Sequence, residues 1–253
     1  GALQRGVATA SAGNFAQGLG LAAKRRGIAL TVHAPDSAAK VKLEAIRDQG
    51  ARIVVHSFAD WWSIMMTRET GADDGVFIHP VCEPGVILGN GTIGLELAED
   101  WPEMDTVVIP FGGGGLSSGI ALALRALSRK VRIVACEVET STALAAAFAA
   151  NAPVRVERLP SFVDGIGSNG VLEDMWPLLK ELIDDVVVVT LTEVKAAVRE
   201  LALRHHLIAE GAGAAAFAAA LSPHCKGTNI AAVISGGNID PAILCPILTE
   251  SNA

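Results

Sequence analysis

The sequence predicts an α/β protein of two lobes, each built on a parallel, doubly wound sheet. The reading rests on three features. Short apolar runs rich in Val and Ile alternate with helical patterns along the chain, the order expected of strand–helix–strand units that pair in parallel. Three strand ends open into polar, glycine-rich loops: "SAGN" at 11–14, "GGGGLSS" at 112–118 and "SGGN" at 235–238. The pattern also changes unit near residues 79–90, which divides the chain into a smaller lobe, 1–84, and a larger one, 85–253.

"GVATASAGN" supplies a first strand and its loop, and Phe15–Arg26 a helix with Leu19, Ala22 and Ala23 apolar, stopped by Gly27. "IALTVHA" is a strand, "PDS" a turn, Ala38–Gln49 a helix closed by Gly50, and "ARIVVHS" the next strand. Asp60–Thr70 reads as helix until "GADDG" breaks it, and "VFIHP" as a short strand. After the glycine-bearing stretch Gly85–Gly94, a helix is predicted over Ile93–Glu99, ending before Pro102. Asp105–Pro110 and Val131–Glu137 are strands, Thr142–Ala150 an alanine-rich helix, and Pro153–Asn169 mostly loop. Leu172–Ile183 is helical but cut by Pro177, "DDVVVVT" is a strand, and Thr192–His205 a helix with Thr192 alone as its cap. "AEGAGAAAFAAAL" is a helix of small residues, "NIAAVIS" a last buried strand, and "GGNIDP" its exit.

Four consecutive glycines, Gly112–Gly115, are costly to order, because glycine loses the most backbone freedom. They lie between the strand Val107–Ile109, ended by Pro110, and a helix that starts at Ser117 or Ser118 with Ile120, Leu124 and Leu127 on one face. Backbone N–H groups converging there on a phosphate, helped by the helix dipole, would justify holding such a loop still. An ordinary tight strand–helix turn is the alternative. No Lys-Ser/Thr follows the glycines and no GxGxxG spacing is present, which excludes a Walker loop and a dinucleotide fingerprint. "SAGN" and "SGGN" taken singly read equally well as caps or turns. Together, three such strand exits suit one phosphorylated ligand at the carboxyl ends of parallel strands.

Composition narrows the function classes. With 253 residues, 51% of them apolar, the chain has length for a sizeable core and is not disordered. A net charge of −7, no tyrosine and 4% aromatic residues argue against a nucleic-acid surface. "ALAAAFAANAPV" is too short to span a bilayer, so no membrane partner is expected. Cys82, Cys136, Cys225 and Cys245 form no CxxC pair, which points to reduced thiols and a cytoplasmic location. No metal site is expected: His205 and His206 are adjacent on a helix and cannot share a face, and His33, His56 and His79 sit at strand ends or turns.

The chain resembles the pyridoxal-phosphate enzymes of the tryptophan-synthase β-like fold (fold type II), and among them the serine/threonine dehydratases. The stretches that carry the resemblance are "ASAGNFAQGLGLAA" (10–23), "KVKLEAIRDQGA" (40–51), "FIHPVCEPGVILGNGTIGLEL" (77–97), "VVIPFGGGGLSSGIA" (107–121), "VDGI" (163–166), "IAEGAGAAA" (208–216) and "ISGGNID" (234–240). They follow the family order over nearly the whole chain. The resemblance implies pyridoxal 5′-phosphate as cofactor, its phosphate held by Gly112, Gly113, Gly114, Gly115 and Leu116. It implies Asn14 at the ring 3′-oxygen, Ser235 at the ring nitrogen, Gly165 beside the ring and Glu210 behind it. Ser11, Ala12, Gly13 and Asn14 would receive the substrate, with Ser11 and nearby N–H groups on its carboxylate. The catalytic set so implied within the chain is Ser11, Asn14 and Glu210. A homodimer is implied as well.

Several positions depart from the family. Its Schiff-base lysine lies upstream of the "SAGN" loop, whereas no lysine precedes Ser11 here, and Lys24, followed by "RRG", does not match its motif. The expectation is either a chain lacking the segment that completes the small lobe, or a lysine-free homologue. Phe15 stands where histidine is commoner, and Gly211 replaces a proline. Some relatives bind a divalent cation near the equivalent of Glu137 with a second carboxylate at the position of Ala143, and one carboxylate is thin for a hard cation. Ala12 stands where related serine racemases carry a serine that protonates the second face.

The expected activity is therefore deamination of a small 2-amino-3-hydroxy acid, L-threonine or L-serine, to the 2-oxo acid and ammonia. The rivals are a fold-type-II lyase or racemase acting on another hydroxy amino acid such as 3-hydroxyaspartate, and a non-catalytic cofactor-binding protein.

Overall fold

The computed structural model describes residues 2–38, 40–71 and 74–249. Gly1, Ala39, Ala72, Asp73 and residues 250–253 lie outside the described residues, and with them parts of the readings placed on "GAL", Ala38–Gln49, "GADDG" and the ends of both lobes. The chain divides into two compact units, Gly1–Glu83 and Pro84–Ala253.

The first unit is a parallel sheet of β1 (Val7–Ala10), β2 (Leu30–Pro35), β3 (Arg52–His56) and β4 (Val76–Phe77) in the order β3-β2-β1-β4. A short 3₁₀ turn, Ala2–Arg5, precedes it. α1 (Asn14–Arg26) and α2 (Lys40–Asp48) cover one face, where Ala16, Ala23 and Ile46 pack on Val7, Leu30 and Val32. α3 (Phe58–Thr67) covers the other, bringing Ile64 and Met65 to Ala10. Gly27 ends α1 in the left-handed region at φ 64°, its N–H turned back to the last carbonyls of the helix. α3 runs earlier than the pattern suggests. Ser57 caps it by accepting from the Asp60 N–H at 3.2 Å, and Arg68 stops it at φ 63°.

The second unit is a parallel sheet in the order β7-β6-β5-β8, from β5 (Thr106–Pro110), β6 (Arg132–Val138), β7 (Asp185–Val189) and β8 (Ile230–Ala232). The helices are α4 (Pro84–Asp100), α5 (Gly115–Ala126), α6 (Ala143–Ala150), α7 (Trp176–Leu182), α8 (Leu191–Arg204), α9 (Gly211–Leu221) and α10 (Pro241–Thr249). α5 lays Ile120, Ala121 and Leu124, all fully buried, toward the core. Full burial of an Ile or Leu stabilises by about 1.5–3 kcal/mol.

Five readings need correction here. The helix expected over Ile93–Glu99 spans Pro84–Asp100, because the glycines of that stretch are contact points. A Cβ on Gly94 would lie 2.7 Å from the Ile120 carbonyl oxygen, and one on Gly119 would lie 2.3 Å from that of Ile87, so the two helices meet backbone to backbone. α5 starts at Gly115, with Gly114 as N-cap, so neither Ser117 nor Ser118 caps it. Leu127 lies past its end and is 48% exposed, off the face of Ile120 and Leu124. Pro177 sits in the first turn of α7, which begins at Trp176, instead of cutting a helix, since a first-turn residue needs no N–H partner. α8 is capped by Thr190, not Thr192: Thr190 and Glu193 form a capping box, with the Glu193 N–H at 3.2 Å from Thr190 Oγ1 and the Thr190 N–H at 2.7 Å from the Glu193 carboxylate.

Candidate functional site

In the first unit, the candidate residues form one continuous stretch. β1 is buried along its length and delivers Ser11 to its carboxyl end. Gly13 is the N-cap of α1 in extended geometry and carries no side-chain cap hydrogen bond. The helical ladder starts with the Gln17 N–H on the Gly13 carbonyl at 3.4 Å, so the N–H groups of Phe15 and Ala16 precede it. Ser11 Oγ accepts from the Gly13 N–H at 3.4 Å, which leaves the hydroxyl proton to donate elsewhere. Ala12 and Gly13 are half-buried and Asn14 exposed. An uncapped helix start beside a serine hydroxyl is suited to a small carboxylate.

In the second unit, Phe111 buries the end of the loop that follows β5, and Gly112–Gly115 turn the chain into α5. Gly114 has φ 95°, and a Cβ on it would stand 2.8 Å from Leu179 of α7. Only glycine combines that dihedral with that approach. The ladder of α5 begins with the Ser118 N–H on the Gly114 carbonyl at 2.9 Å, and the Ser117 hydroxyl bonds the same oxygen at 3.1 Å. The N–H groups of Gly115, Leu116 and Ser117 therefore precede the ladder, at the positive end of a twelve-residue helix.

The other predicted positions of this unit adjoin that loop. A Cβ on Gly112 would lie 3.8 Å from the Gly165 carbonyl oxygen, and one on Gly165 would lie 3.4 Å from Glu210 Oε1. Glu210 is buried at the N-cap of α9, and its N–H donates to the Gly236 carbonyl at 2.9 Å. A Cβ on Gly213 would come 3.2 Å from the Ser235 nitrogen, so small residues at the head of α9 let the "SGGN" loop settle on it. Gly112, Gly165, Glu210 and Ser235 thus form one patch, with Ser235 exposed at its rim.

Two supports of this patch lacked any readable sequence signal. Ser141 Oγ donates to the Ser168 carbonyl at 2.8 Å and accepts from the Ser168 N–H at 2.9 Å, which fixes the loop that carries Gly165. Val163 and Phe162 lie against Gly211, where a Cβ would come 2.9 Å from Val163 Cγ2. Glu137, at the end of β6, is also buried and is engaged by backbone. Its Oε1 accepts from Leu144 at 2.8 Å and its Oε2 from Ala145 at 2.9 Å, in the first turn of α6. Burial pushes its carboxyl up to about 7, against the pull of those N–H groups. Among the described residues, no group of three or more His, Cys, Asp or Glu side chains could hold a metal ion.

A family model described as pyridoxal-phosphate dependent enzyme matches residues 2–236. The chain is 37% identical over 252 residues to an L-threonine ammonia-lyase of Thermotoga maritima, covering 98% of this chain and 62% of the relative. It is 36% identical over 244 residues to the catabolic L-threonine dehydratase of Escherichia coli, covering 94% and 74%. Among solved structures, maize serine racemase matches with a TM-score of 0.83 at 35% identity, over 97% of this chain and 77% of that one. The processed threonine deaminase isoform 2 of Solanum lycopersicum matches with a TM-score of 0.87 at 30% identity, over 99% and 75%. The chain thus spans a little over three fifths of the length of the Thermotoga relative.

Proposed function

Because the chain belongs to the pyridoxal-phosphate-dependent enzymes, we propose that it serves the deamination of a small 2-amino-3-hydroxy acid, L-threonine or L-serine, to the 2-oxo acid and ammonia. The observation that carries the reading is the patch around Gly112–Gly115. The chemistry of its donors fits the cofactor: N–H groups at a helix start, without a side-chain cap, match a phosphate. The similarity to threonine ammonia-lyases and dehydratases supports the reaction class.

When bound, the cofactor supplies the electron sink for charge developing at the substrate Cα. The chain's own residues hold and orient. The N–H groups of Gly115, Leu116 and Ser117, together with the glycines before them, would fix the phosphate. The Ser235 hydroxyl would meet the ring nitrogen as a neutral partner, and Asn14 the ring 3′-oxygen. Gly165 leaves room beside the ring, with Glu210 behind. Ser11 and the first N–H groups of α1 would orient the substrate carboxylate, which positions the bonds to be broken.

The same reading includes a homodimer in the cytoplasm. All four cysteines are free thiols, which suits a reducing compartment. Leu88 and Leu95, exposed and two turns apart on α4, offer an apolar face for a second copy. Light scattering that gave the monomer mass at every concentration would remove the dimer.

Racemisation is the competing outcome on such a scaffold, and Ala12 opposes it. A racemase needs a group within hydrogen-bond reach to return a proton to the second face of Cα. The Ala12 methyl cannot do so. The test gives the full-length natural protein L-threonine and L-serine and follows both keto acid and D-amino acid. Keto acid and ammonia should dominate, and Ala12→Ser should be the single change that adds D-isomer. Rapid D-serine with little pyruvate would sink the reading.

A further inference from the structure

Two Asn-Gly pairs occur in the chain, Asn90-Gly91 and Asn169-Gly170. Such a pair is chemically unstable. The backbone nitrogen of the glycine can attack the side-chain carbonyl carbon of the asparagine, and no side chain on the glycine hinders that approach. Whether the reaction runs depends on how the fold holds the two groups.

The fold ties down the first pair. Asn90 and Gly91 lie inside α4, where the Gly91 N–H is engaged in the helical ladder. α5 also presses on them: a Cβ on Gly119 would lie 2.8 Å from the Gly91 nitrogen and 2.8 Å from Asn90 Cβ. Attack there requires the helix to open first. The second pair lies outside any helix or strand, between α6 and α7. Among the described residues, no hydrogen bond holds the Asn169 side chain or the Gly170 N–H. Asn169 is half-buried, and neither polar atom of its side chain is sealed from water.

The residues around this reactive pair are held closely. Ser141 Oγ accepts from the Ser168 N–H at 2.9 Å and donates to the Ser168 carbonyl at 2.8 Å. The Ser168 hydroxyl donates to the Gly170 carbonyl at 2.8 Å, and the Val156 N–H to the Asn169 carbonyl at 2.8 Å. Gly170 lies so near Val154 that a Cβ on it would stand 2.9 Å from the Val154 carbonyl oxygen. Val171 and Leu172, the next residues, are buried.

We infer that Asn169 is a site of self-modification, at which the chain converts its own side-chain amide to a carboxylate and unfastens the loop that carries Gly165. Solvent hydroxide takes the Gly170 N–H proton, and the nitrogen forms a bond to Asn169 Cγ. The bond from Cγ to the side-chain nitrogen breaks, and ammonia leaves with a proton from water, which restores the hydroxide. The cyclic imide then takes up one water. Cleavage at Cγ gives aspartate, and cleavage at the backbone carbonyl gives isoaspartate, in which the chain runs through Cγ. Either product carries a new negative charge. The second makes the backbone one carbon longer between Ser168 and Gly170, and it takes the carbonyl that accepts from Val156 out of the chain path. With Ser168 and Gly170 both pinned, the extra carbon has no room unless those bonds give.

Storage of the full chain at mildly alkaline pH, followed by peptide mass mapping and amide exchange, tests this. The mass change of amide to acid should build up at Asn169 about tenfold faster or more than at Asn90, because a helical N–H reacts only from a locally opened state, and about 1.4 kcal/mol of opening is a factor of ten. In denaturant the two pairs should convert at similar rates. In the converted chains, the N–H groups of Val156 and Ser168 should exchange about tenfold faster or more. The Phe111 N–H, bonded to the Cys136 carbonyl at 2.8 Å, should exchange as before. Asn169→Gln needs a larger, slower-forming ring, so it should store without conversion and keep Val156 and Ser168 protected. The proposal falls if the folded chain converts Asn90 as fast as Asn169, or if the denatured chain shows the same preference as the folded one. It also falls if Val156 and Ser168 stay protected in the converted chains, or if stored Asn169→Gln loses that protection as the parent does.

Discussion

Glu137 Oε1, at the end of β6, accepts a hydrogen bond of 2.8 Å from the Leu144 N–H in the first turn of α6. A buried carboxyl thus does the capping that the side chain of Thr142, the residue at the N-cap, does not. Because burial raises this acid to about 7, above its ordinary 4.5, the folded chain holds a proton there that the unfolded chain gives up. Stability from this group is then fully present below 4.5 and is lost as pH rises through about 7. Glu137→Gln cannot ionise, so its melting temperature should fall less than the parent's between those pH values. Parallel melting-temperature profiles for the two proteins would show that Glu137 does not titrate in this window.

The crossing of α4 and α5 yields a stability prediction. Gly94→Ala would press a methyl against the Ile120 carbonyl, an atom that no rotamer can move aside. Overpacking of this kind costs about 1–3 kcal/mol, occasionally more. Gly89→Ala, on the same helix with nothing within 4 Å of the added Cβ, should be neutral or mildly stabilising. Denaturant midpoints of the two variants against the parent decide it.

The glycine loop separates folding from binding. Gly114→Val combines a forbidden dihedral with a clash at Leu179, and should lose both stability and pyridoxal-phosphate retention. Gly112→Ala meets its nearest neighbour at 3.5 Å, an ordinary contact, and no left-handed dihedral opposes it. It should leave the melting temperature nearly unchanged yet weaken cofactor binding roughly tenfold, about 1.4 kcal/mol. Equilibrium dialysis with pyridoxal phosphate reads the second effect. Unaltered affinity in Gly112→Ala would place the phosphate elsewhere.

The sequence announced what local chemistry encodes. β1, β2, β5 and β6 are buried, Val- or Ile-bearing runs between turn residues, β7 is a partly buried Val run, and each appears in the structure near its expected place. It misled wherever a residue's local meaning yields to packing. Glycine in a helix interior is unfavourable by propensity, so Gly85–Gly94 gave no helical signal. Only the partner helix reveals that Gly91 and Gly94 are required, and that partner is some 25 residues away in sequence. Thr190 and Thr192 both precede a helical pattern, and Glu193 at the third helical position, the capping-box spacing, is what singles out Thr190. The loops of the candidate site were legible because backbone-lined anion sites demand glycine. Their supports, such as Ser141 on Ser168 or the Gly236 carbonyl on Glu210, join residues distant in sequence and carry no motif.

Where α4 lies on α5, backbone meets backbone, with only the Cβ atoms of Ala123 and Asn90 beside the contact. Side-chain contacts normally let helices slide by small amounts as rotamers adjust. Here the closest atoms are carbonyl oxygens and Cβ atoms, which no rotamer change moves, so the pair behaves mechanically as a single stiff strut. One end of that strut is Pro84, where the chain leaves the first unit, and α5 begins at the glycine cradle. A force applied to the chain at Pro84 would therefore reach the cradle as a displacement of the whole strut, with little lost to elastic give along the way.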